Sequence, residues 1–431
     1  MNFKKVNNIF QARYSDPMIT PRGKLQVSVF NTTVGKPVEN AKVDIFTTNT
    51  SGEETQIESL VTDSSGKTLE ILLDAPSKEY SFTPENEIRP YSLYNVKISA
   101  TDFNNATIEN VEIFEDTSAI QDVNITSLEN PLPNGQNIVI RDNTLWGDFP
   151  PKIPEDEVKE LPPATGFVVL DEPVIPEFIV VHDGSPNNNS APNYYVPFKD
   201  YIKNVASSEI YSTWNEATIR ANVLAIISFT LNRVFTEWYR GQGKNFTITS
   251  STAFDQSFSY GRNIFKEIST IVDEAFSTYI TRTNIVQPLL AQYCDGKTVS
   301  CPNWLSQWGS QSLGNQGYNT MDILRHYYGD IYLDQAKLVS GVPSSFPNEI
   351  LQLGSTGNDV RTIQTQLNAI SNNYPAIPKL RVDGIYGNGT LSAVEKFQSI
   401  FNMPQTGMVD FATWYQISHI YVAVTRLAQL V

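Results

Sequence analysis

The sequence predicts a multidomain chain with an all-β sandwich first, an α+β region in the middle and a three-helix bundle at the end. Three observations support this prediction. The chain has 431 residues, which is room for about three domains of ordinary size. Apolar and polar residues alternate early in the chain, as they do in half-buried strands. Apolar residues at helical spacing follow later, most clearly after residue 347.

The alternating segments lie in residues 1–128, where turn residues at 35–37, 63–66 and 104–105 separate them. The pattern predicts a small antiparallel β-sandwich. The stretch GKPVENAKVDIF followed by TDSSGKTLEILL resembles the transthyretin-like, carboxypeptidase-regulatory type of sandwich. That resemblance implies an accessory module without chemistry of its own. The alternating residues are Leu25, Val27, Val29, Val43, Ile45, Val96, Ile98, Val111, Ile113, Val123 and Ile125.

Residues 129–177 are rich in proline and include an acidic run at 155–157. Proline-rich segments without apolar periodicity form extended connectors, and exposed connectors are where proteases cut. The stretch therefore predicts an exposed linker that carries an activation cleavage region. An ordinary interdomain linker is the simpler interpretation of this stretch taken alone.

The net charge of −15 limits the partners of the chain. Such a field repels phosphate backbones and anionic lipid, so we expect no nucleic-acid partner. No apolar run approaches the roughly 20 residues of a transmembrane helix, so we expect no membrane insertion. The chain has 3 His and 2 Cys, so we expect no catalytic metal and no other cofactor.

The two cysteines, Cys294 and Cys301, stand close together in the chain. A disulfide, two free thiols, or half of a zinc site completed by His326 are all open at this point. We favour a small structural loop closure over a metal site.

The central segment, residues 178–341, contains two predicted helices. Asn215 is a good N-cap for a long helix that Gly241 closes, and a shorter helix over 198–208 ends next to Glu209. The stretches YIKNVASSEIYSTWNEATIRANVLAIISFTLNR and LSQWGSQSLGNQGYNTMDILRHYYG resemble the SpoIID family. That resemblance implies a catalytic domain that acts on the glycan strands of peptidoglycan.

The last segment, residues 347–431, shows three helical periods of apolar residues, with caps predicted at Asn358, Thr390 and Asp410. It predicts a three-helix bundle. The motifs LGSTGNDV, VDGIYGNGT and TGMVDFATW resemble the family of C-terminal peptidoglycan-binding domains. The resemblance implies that this module binds cell-wall peptidoglycan.

The order of sandwich, linker, SpoIID-like domain and wall-binding module resembles the SleC family of clostridial spore cortex-lytic enzyme precursors. Members of that family are inactive until subtilisin-like germination proteases remove the N-terminal part. The resemblance implies a lytic transglycosylase of cortex peptidoglycan, located in the spore cortex or envelope outside the inner spore membrane. It also places the activating cut in or near residues 164–178.

Glu209 is the candidate catalytic residue, because it is the acidic member of the pair that it forms with Ser208 in the SpoIID-like motif. A lytic transglycosylase needs one carboxylic acid. This acid protonates the glycosidic oxygen and then accepts a proton from the C6 hydroxyl that attacks C1. Burial beside Trp214 and Tyr211 is expected to raise the pKa of Glu209 toward neutrality.

The same resemblance implies substrate contacts at five other positions. Gln256 in FDQSF and Gln307 and Trp308 in SQWG are candidates for orienting sugar hydroxyls and for stacking on a ring face. Ser208 and Trp214 complete the predicted binding set. Core-supporting polar contacts and packed aromatic rings are an equally good interpretation of Gln256, Gln307 and Trp308.

Two other functions stay open. A muramidase-type hydrolase would need a second carboxylate near Glu209, such as Glu216 or Asp255, to activate water. A non-catalytic protein that binds the wall or activates an amidase would need no carboxylate. Product chemistry separates the first alternative from transglycosylation, and loss of activity on replacing Glu209 separates the second.

Overall fold

A computed structural model describes residues 20–31, 36–128, 135–159, 172–338, 347 and 349–425. Most of the predicted cleavage region, residues 164–171, lies outside the described residues. Within the described ranges, no helix has both the length and the apolar character needed to cross a bilayer.

The N-terminal region is built from two sheets that share a buried core. One has the strand order β3-β2-β5-β6-β8, and the other contains β7-β1-β4. The alternating residues face the core, and Leu25, Val27 and Val29 are fully buried. The predicted strands are therefore present. They are β1 (Arg22–Asn31), β2 (Lys42–Thr48), β3 (Glu54–Val61), β4 (Ile71–Asp74), β5 (Ser92–Ser99), β6 (Ala106–Ile113), β7 (Ser118–Ile125) and β8 (Gln136–Val139).

The predicted antiparallel arrangement is wrong for two strand pairs. Strand β1 runs parallel to β7, and β6 runs parallel to β8. Strands joined by a tight hairpin must be antiparallel. No hairpin joins β1 to β7 or β6 to β8, because other strands lie between them along the chain. Alternation reveals which face of a strand is buried but does not reveal the direction of its partner.

The central region, residues 172–338, packs short strands and helices around α2, which is buried over almost its whole length. Asn215 caps α2 as predicted, because its side chain accepts a hydrogen bond from the Thr218 amide at 2.9 Å. The helix ends at Phe235, before the predicted Gly241, and Glu237 just beyond has a φ of 46° that no helix accommodates. The shorter predicted helix is α1, which ends at Glu209. The elements are β9 (Val174–Ile175), β10 (Phe178–His182), β11 (Asn193–Pro197), α1 (Phe198–Glu209), α2 (Glu216–Phe235), β12 (Ile248–Thr249), β13 (Ile264–Phe265), α3 (Lys266–Ala275), β14 (Thr278–Thr281), β15 (Tyr293–Cys294), β16 (Leu305–Ser306), α4 (Gln307–Asn315), α5 (Thr320–Tyr328), β17 (Tyr332–Gln335) and β18 (Lys337–Leu338).

The N-terminal and central regions share an interface. Strand β13 pairs antiparallel with β7 and so extends the β7-β1-β4 sheet. The Arg262 guanidinium lies 2.7 Å from the Glu112 carboxylate, and both side chains are almost fully buried. The Trp214 indole N–H donates to the Ser81 carbonyl oxygen at 2.8 Å. Sheet pairing, a buried ion pair and an indole hydrogen bond therefore hold the two regions together.

Residues 140–159 form an extended segment that we call the strap. The sequence predicts an exposed linker here, but the strap lies against the central region. The Thr144 amide donates to the Ser208 carbonyl oxygen at 2.9 Å, and the Ile153 amide donates to the Ala253 carbonyl oxygen at 2.7 Å. Prolines keep the strap extended and remove some of its own donors. Several of the remaining amides bond to the central region, which composition alone does not reveal.

The C-terminal bundle consists of α6 (Asn358–Ile370), α7 (Asn388–Ile400) and α8 (Phe411–Thr425). Apolar residues at the predicted spacing form its core, and Val360, Phe397 and Trp414 are fully buried. The predicted three-helix bundle is therefore present.

Of the three predicted helix caps in the bundle, Asp410 is confirmed, because its carboxylate accepts a hydrogen bond from the Thr413 amide at 2.8 Å. The other two are wrong, since Asn358 and Thr390 lie inside α6 and α7. Glycines precede both helices instead. Gly357 has a φ of 128°, a conformation that side chains rarely adopt, so glycine is required there.

Candidate active site

Glu209 is the last residue of α1, and its side chain is almost fully buried. Its Oε1 accepts a hydrogen bond from the Ser257 amide at 2.6 Å. The charge of the Lys152 ammonium also acts on this carboxyl group. A carboxylate this deep in a protein is costly unless partners or a proton compensate its charge.

Burial raises the pKa of Glu209 to about 7, while the Lys152 charge, the Ser257 amide and the Tyr293 hydroxyl lower it. The direction agrees with the expectation from the sequence. Burial lowers the pKa of Lys152 to about 8, against the attraction of Glu209 and Asp255. A carboxyl group with a pKa near neutrality can both give and accept a proton at neutral pH, as general acid-base catalysis requires.

A buried polar network lies around Gln256. Its Oε1 accepts hydrogen bonds from the Tyr201 hydroxyl at 3.0 Å and the Thr230 hydroxyl at 2.8 Å. Its Nε2 donates to the Ile226 carbonyl oxygen at 3.1 Å. Gln256 is fully buried, and these bonds engage its amide within the protein. Gln256 therefore supports the site from inside and does not line the pocket described below.

Asp255, one of the two candidates for a second carboxylate, is fully buried. Its Oδ1 accepts a hydrogen bond from Arg233 Nε at 2.7 Å, and its Oδ2 accepts one from the Thr249 amide at 2.9 Å. Glu216, the other candidate, lies at the exposed start of α2 and pairs with Arg220 at 2.8 Å. Neither residue presents a carboxylate to the pocket beside Glu209.

A pocket opens beside Glu209, between the central region and the strap. Of the predicted binding residues, Gln307 at the start of α4 lines this pocket. The pocket therefore brings Glu209 and Gln307 together from distant parts of the chain. Other lining residues come from the strap (Thr144, Phe149 and Lys152) and from the central region (Tyr293, Cys294 and Asp295).

Cys294 and Cys301 form a disulfide, with Cα atoms 5.7 Å apart. Of the three alternatives that the sequence leaves open, the structure therefore has the disulfide, which closes a small loop. His326 is exposed on α5. Over the described ranges, no group of three or more His, Cys, Asp or Glu side chains is placed to hold a metal ion.

Trp214 and Trp308 belong to a packed aromatic cluster with Tyr211. The ring centroids of the two tryptophans are 5.3 Å apart, and each lies 5.8 Å from the Tyr211 centroid. Both indoles are buried, and so is Ser208. The structure does not bring these three predicted binding residues to the pocket. Of the three, Trp214 contacts the N-terminal region, because its indole donates to the Ser81 carbonyl oxygen.

Sequence reasoning missed Lys152, Tyr293 and Asp295 at the pocket. For Lys152 the sequence offers a signal, because it is the one basic residue in the stretch DFPPKIP. If this stretch is buried, its amine must have polar or charged partners. Tyr293 and Asp295 carry none, since only the fold brings them to Glu209. The Asp295 carboxylate accepts hydrogen bonds from the Thr298 and Val299 amides at 2.8 and 2.9 Å.

Residues 356–417 match the peptidoglycan binding domain family. The C-terminal bundle is a peptidoglycan-binding domain. This confirms the prediction made from its glycine-containing motifs. The peptidoglycan-binding domain accounts for α6, α7 and part of α8, and the match does not extend to the central region or the strap.

Two curated proteins are similar to short parts of this chain. The spore cortex-lytic enzyme of Bacillus subtilis strain 168 is 37% identical over 71 residues, which is 16% of this chain and 22% of that protein. The spore cortex-lytic enzyme of Bacillus cereus strain ATCC 14579 is 33% identical over 69 residues, which is 16% of this chain and 25% of that protein. The chain thus spans a quarter or less of the length of these relatives.

Two solved structures are similar to parts of this chain. The SleB N-terminal domain is 32% identical and covers 17% of this chain and 93% of its own, with a TM-score of 0.15. Transthyretin from Sparus aurata is 19% identical and covers 24% of this chain and 90% of its own, with a TM-score of 0.16. Likenesses with such TM-scores support no conclusion about the fold.

Proposed function

We propose that this chain is the zymogen of a peptidoglycan lytic transglycosylase that acts on spore cortex. One observation carries the proposal. A buried glutamic acid, Glu209, lines a pocket, and the pKa of its carboxyl group is near neutrality. The same chain contains a peptidoglycan-binding domain. The similarity of that domain's segment to spore cortex-lytic enzymes supports cortex as the substrate.

In the proposed reaction, protonated Glu209 gives its proton to the glycosidic oxygen as the bond to C1 breaks. The resulting carboxylate then accepts the proton of the C6 hydroxyl on the same muramic acid, and that oxygen attacks C1. The product ends in 1,6-anhydro-muramic acid, and Glu209 is protonated again. The Ser257 amide holds Oε1 and so fixes the direction in which the acid points. Gln307, in the same pocket, is the candidate for orienting a sugar hydroxyl.

The engagement of Asp255 and the exposure of Glu216 favour this reaction over hydrolysis, because neither carboxylate is available to activate a water. Asp295 supports a second candidate, a muramidase-type hydrolase. It lines the same pocket as Glu209, although two backbone amides already bond to its carboxylate.

Mass spectrometry of fragments released from purified cortex tests the reaction. Anhydro ends are expected from the protease-activated protein and from its Asp295→Asn variant. Ordinary reducing ends that disappear with Asp295→Asn would establish hydrolysis and reject transglycosylation. No fragments from the activated protein under any condition would support a non-catalytic wall-binding or amidase-activating role.

In this proposal, a subtilisin-like germination protease activates the zymogen by cutting in or near residues 164–178. The protein is located in the spore cortex or envelope, outside the inner spore membrane. Its N-terminal part, including the strap, packs against the domain that carries Glu209. A chain that starts near Val169 is expected to release fragments from decoated spores, and the full chain is not. Equal activity of the two proteins would contradict the zymogen proposal.

A further inference from the structure

The strap crosses the central region directly over Glu209. Its Thr144 amide bonds to the carbonyl oxygen of Ser208, the residue next to Glu209, at 2.9 Å. The Thr144 hydroxyl approaches the Glu209 carbonyl oxygen at 3.4 Å. Nine residues further along, the Ile153 amide bonds to the central region again, at 2.7 Å. The strap residues between these two points form one wall of the pocket.

Lys152 points into the site. Its ammonium group donates to the Asp255 carbonyl oxygen and lies 4.8 Å from the ring centroids of both Phe229 and Tyr293. The charge of Glu209 attracts it. A hydrogen-bond acceptor, two aromatic faces and a carboxylate make a complete set of partners for one ammonium group. The strap therefore supplies a positive charge that partly offsets the burial of Glu209.

A second contact holds the strap beyond Lys152. The Glu155 carboxylate binds the Arg233 guanidinium through two hydrogen bonds of 2.6 and 3.1 Å. The Gln292 side chain bonds to the Ile153 carbonyl oxygen at 2.8 Å and to the Glu155 amide at 2.9 Å. These polar contacts fix the position of Lys152 along the pocket.

From Lys152 to Val158 the burial pattern of the strap is the reverse of ordinary core packing, whereas Ile140 and Leu145 at its start are buried in the core. Lys152 is 9% exposed, whereas Ile153 is 45% exposed and Val158 is 41% exposed. Apolar residues normally face inward and lysine outward. This part of the strap thus gains little from apolar burial, and its attachment depends on hydrogen bonds and charge. Such contacts are replaced by water when a segment leaves a protein surface.

We propose that the strap is an autoinhibitory segment, with Lys152 occupying the space beside Glu209 that a glycan strand must enter. The proposal rests on the proposed function, because it takes Glu209 to be the acid that meets the glycan. A cut in or near residues 164–178 breaks the covalent link between the strap and the central region, and access to Glu209 begins when the strap dissociates. Regulation therefore acts directly at the catalytic carboxyl group and not only through the more distant sandwich.

Covalent labelling of the full chain tests this proposal without reference to activity. A water-soluble carbodiimide with an excess of a small amine converts accessible carboxyl groups to amides, which peptide mass spectrometry locates. Glu209 is expected to be protected in the intact chain. Lys152→Glu, which places two carboxylates together, is expected to raise its labelling by about tenfold or more, because it favours the open state of the strap.

Ile153→Pro is a second variant that should loosen the strap, and it leaves Lys152 unchanged. It removes one strap amide at an exposed side chain, so it is expected to raise labelling of Glu209 without unfolding the protein. Ile153→Ala retains the amide and is the matched control, with protection unchanged. Full labelling of Glu209 in the intact chain, or protection that is equal in the native chain and in both loosened variants, would overturn the proposal.

Glycan cleavage by the same variants keeps the two proposals distinguishable. Release of cortex fragments by uncut Lys152→Glu or Ile153→Pro protein would support both. Exposure of Glu209 in these variants, with no fragment release even after the activating cut, would support the strap as a cover and reject Glu209 as the catalytic acid. Fragment release from the intact native chain would reject autoinhibition and leave the catalytic role standing.

Discussion

The peptidoglycan-binding domain and the central region bury different kinds of side chains. In the described part of the peptidoglycan-binding domain, the buried polar side chains are neutral. Gln398, for example, donates to the Met408 carbonyl oxygen at 2.8 Å. The central region buries charges, among them Glu209 and the pair of Arg233 with Asp255. The neutral side chains need only hydrogen-bond partners, whereas burial of Glu209 raises the pKa of its carboxyl group to about 7, where it can change protonation state at neutral pH.

The largest expected effect separates chemistry from binding. Glu209→Gln keeps the shape of the side chain but removes its transferable proton. Cortex cleavage by the activated protein should therefore fall by about 10² to 10⁴, as for other general acid-base residues. Binding to cortex sacculi in a pelleting assay should stay unchanged, because the peptidoglycan-binding domain is intact. Full cleavage by the Gln variant would remove Glu209 from the mechanism.

The next effect concerns the buried charges themselves. Asp255→Asn leaves Arg233 with one carboxylate partner, Glu155, so it should destabilise the central region by about 3 to 5 kcal/mol, as breaking buried pairs does. Calorimetry should show a lower transition temperature for that region. The matched change Asp410→Asn in the other region should have little effect, since asparagine is an equally good helix cap. Similar losses for both variants would contradict the comparison.

Glu209 should also make the stability of the central region depend on pH. Its folded pKa of about 7 exceeds the value near 4.3 of an unfolded glutamate. Between those values the folded protein retains a proton that the unfolded chain has lost, so stability falls as pH rises. The loss should reach about 3 kcal/mol by pH 7 and then level off. The melting temperature of the Glu209→Gln variant should not show this fall with pH. If the melting temperatures of the two proteins change with pH in parallel, the pKa of Glu209 is not strongly raised.

The smallest expected effect comes from removing residues 347–431. Tethering raises the local concentration of substrate without changing the chemical step, so affinity for insoluble cortex should fall by about a hundredfold. Cleavage of short soluble glycans by the activated protein should remain the same. Equal pelleting with and without the peptidoglycan-binding domain would place the main binding surface elsewhere.

These two regions also differ in how far the sequence predicts them. The core of the peptidoglycan-binding domain follows from helical spacing, which is a local property, as Val360 and Phe397 illustrate. Its cap positions were less predictable, because the glycines of the motifs occupy them. In the central region, α1 and the Asn215 cap were predictable for the same local reason.

The candidate site was predictable only in part. A family motif pointed to Glu209 and Gln307, and both line the pocket. Trp308 belongs to the same motif but packs inside, since a motif records which residues recur and not which way they face. Lys152 and Tyr293 come to Glu209 through long-range folding, and no pattern in the sequence encodes that proximity.

The ion pair between Glu112 and Arg262 has a consequence for how the N-terminal region separates from the rest of the protein. Both side chains lie buried where the two regions meet, 2.7 Å apart. If the regions part, each ion recovers its shell of water, and that hydration offsets much of the lost attraction. An apolar pair in the same place would gain nothing from water and would resist parting. This ion pair thus fixes the geometry of the interface while adding little to the thermodynamic cost of parting the two regions.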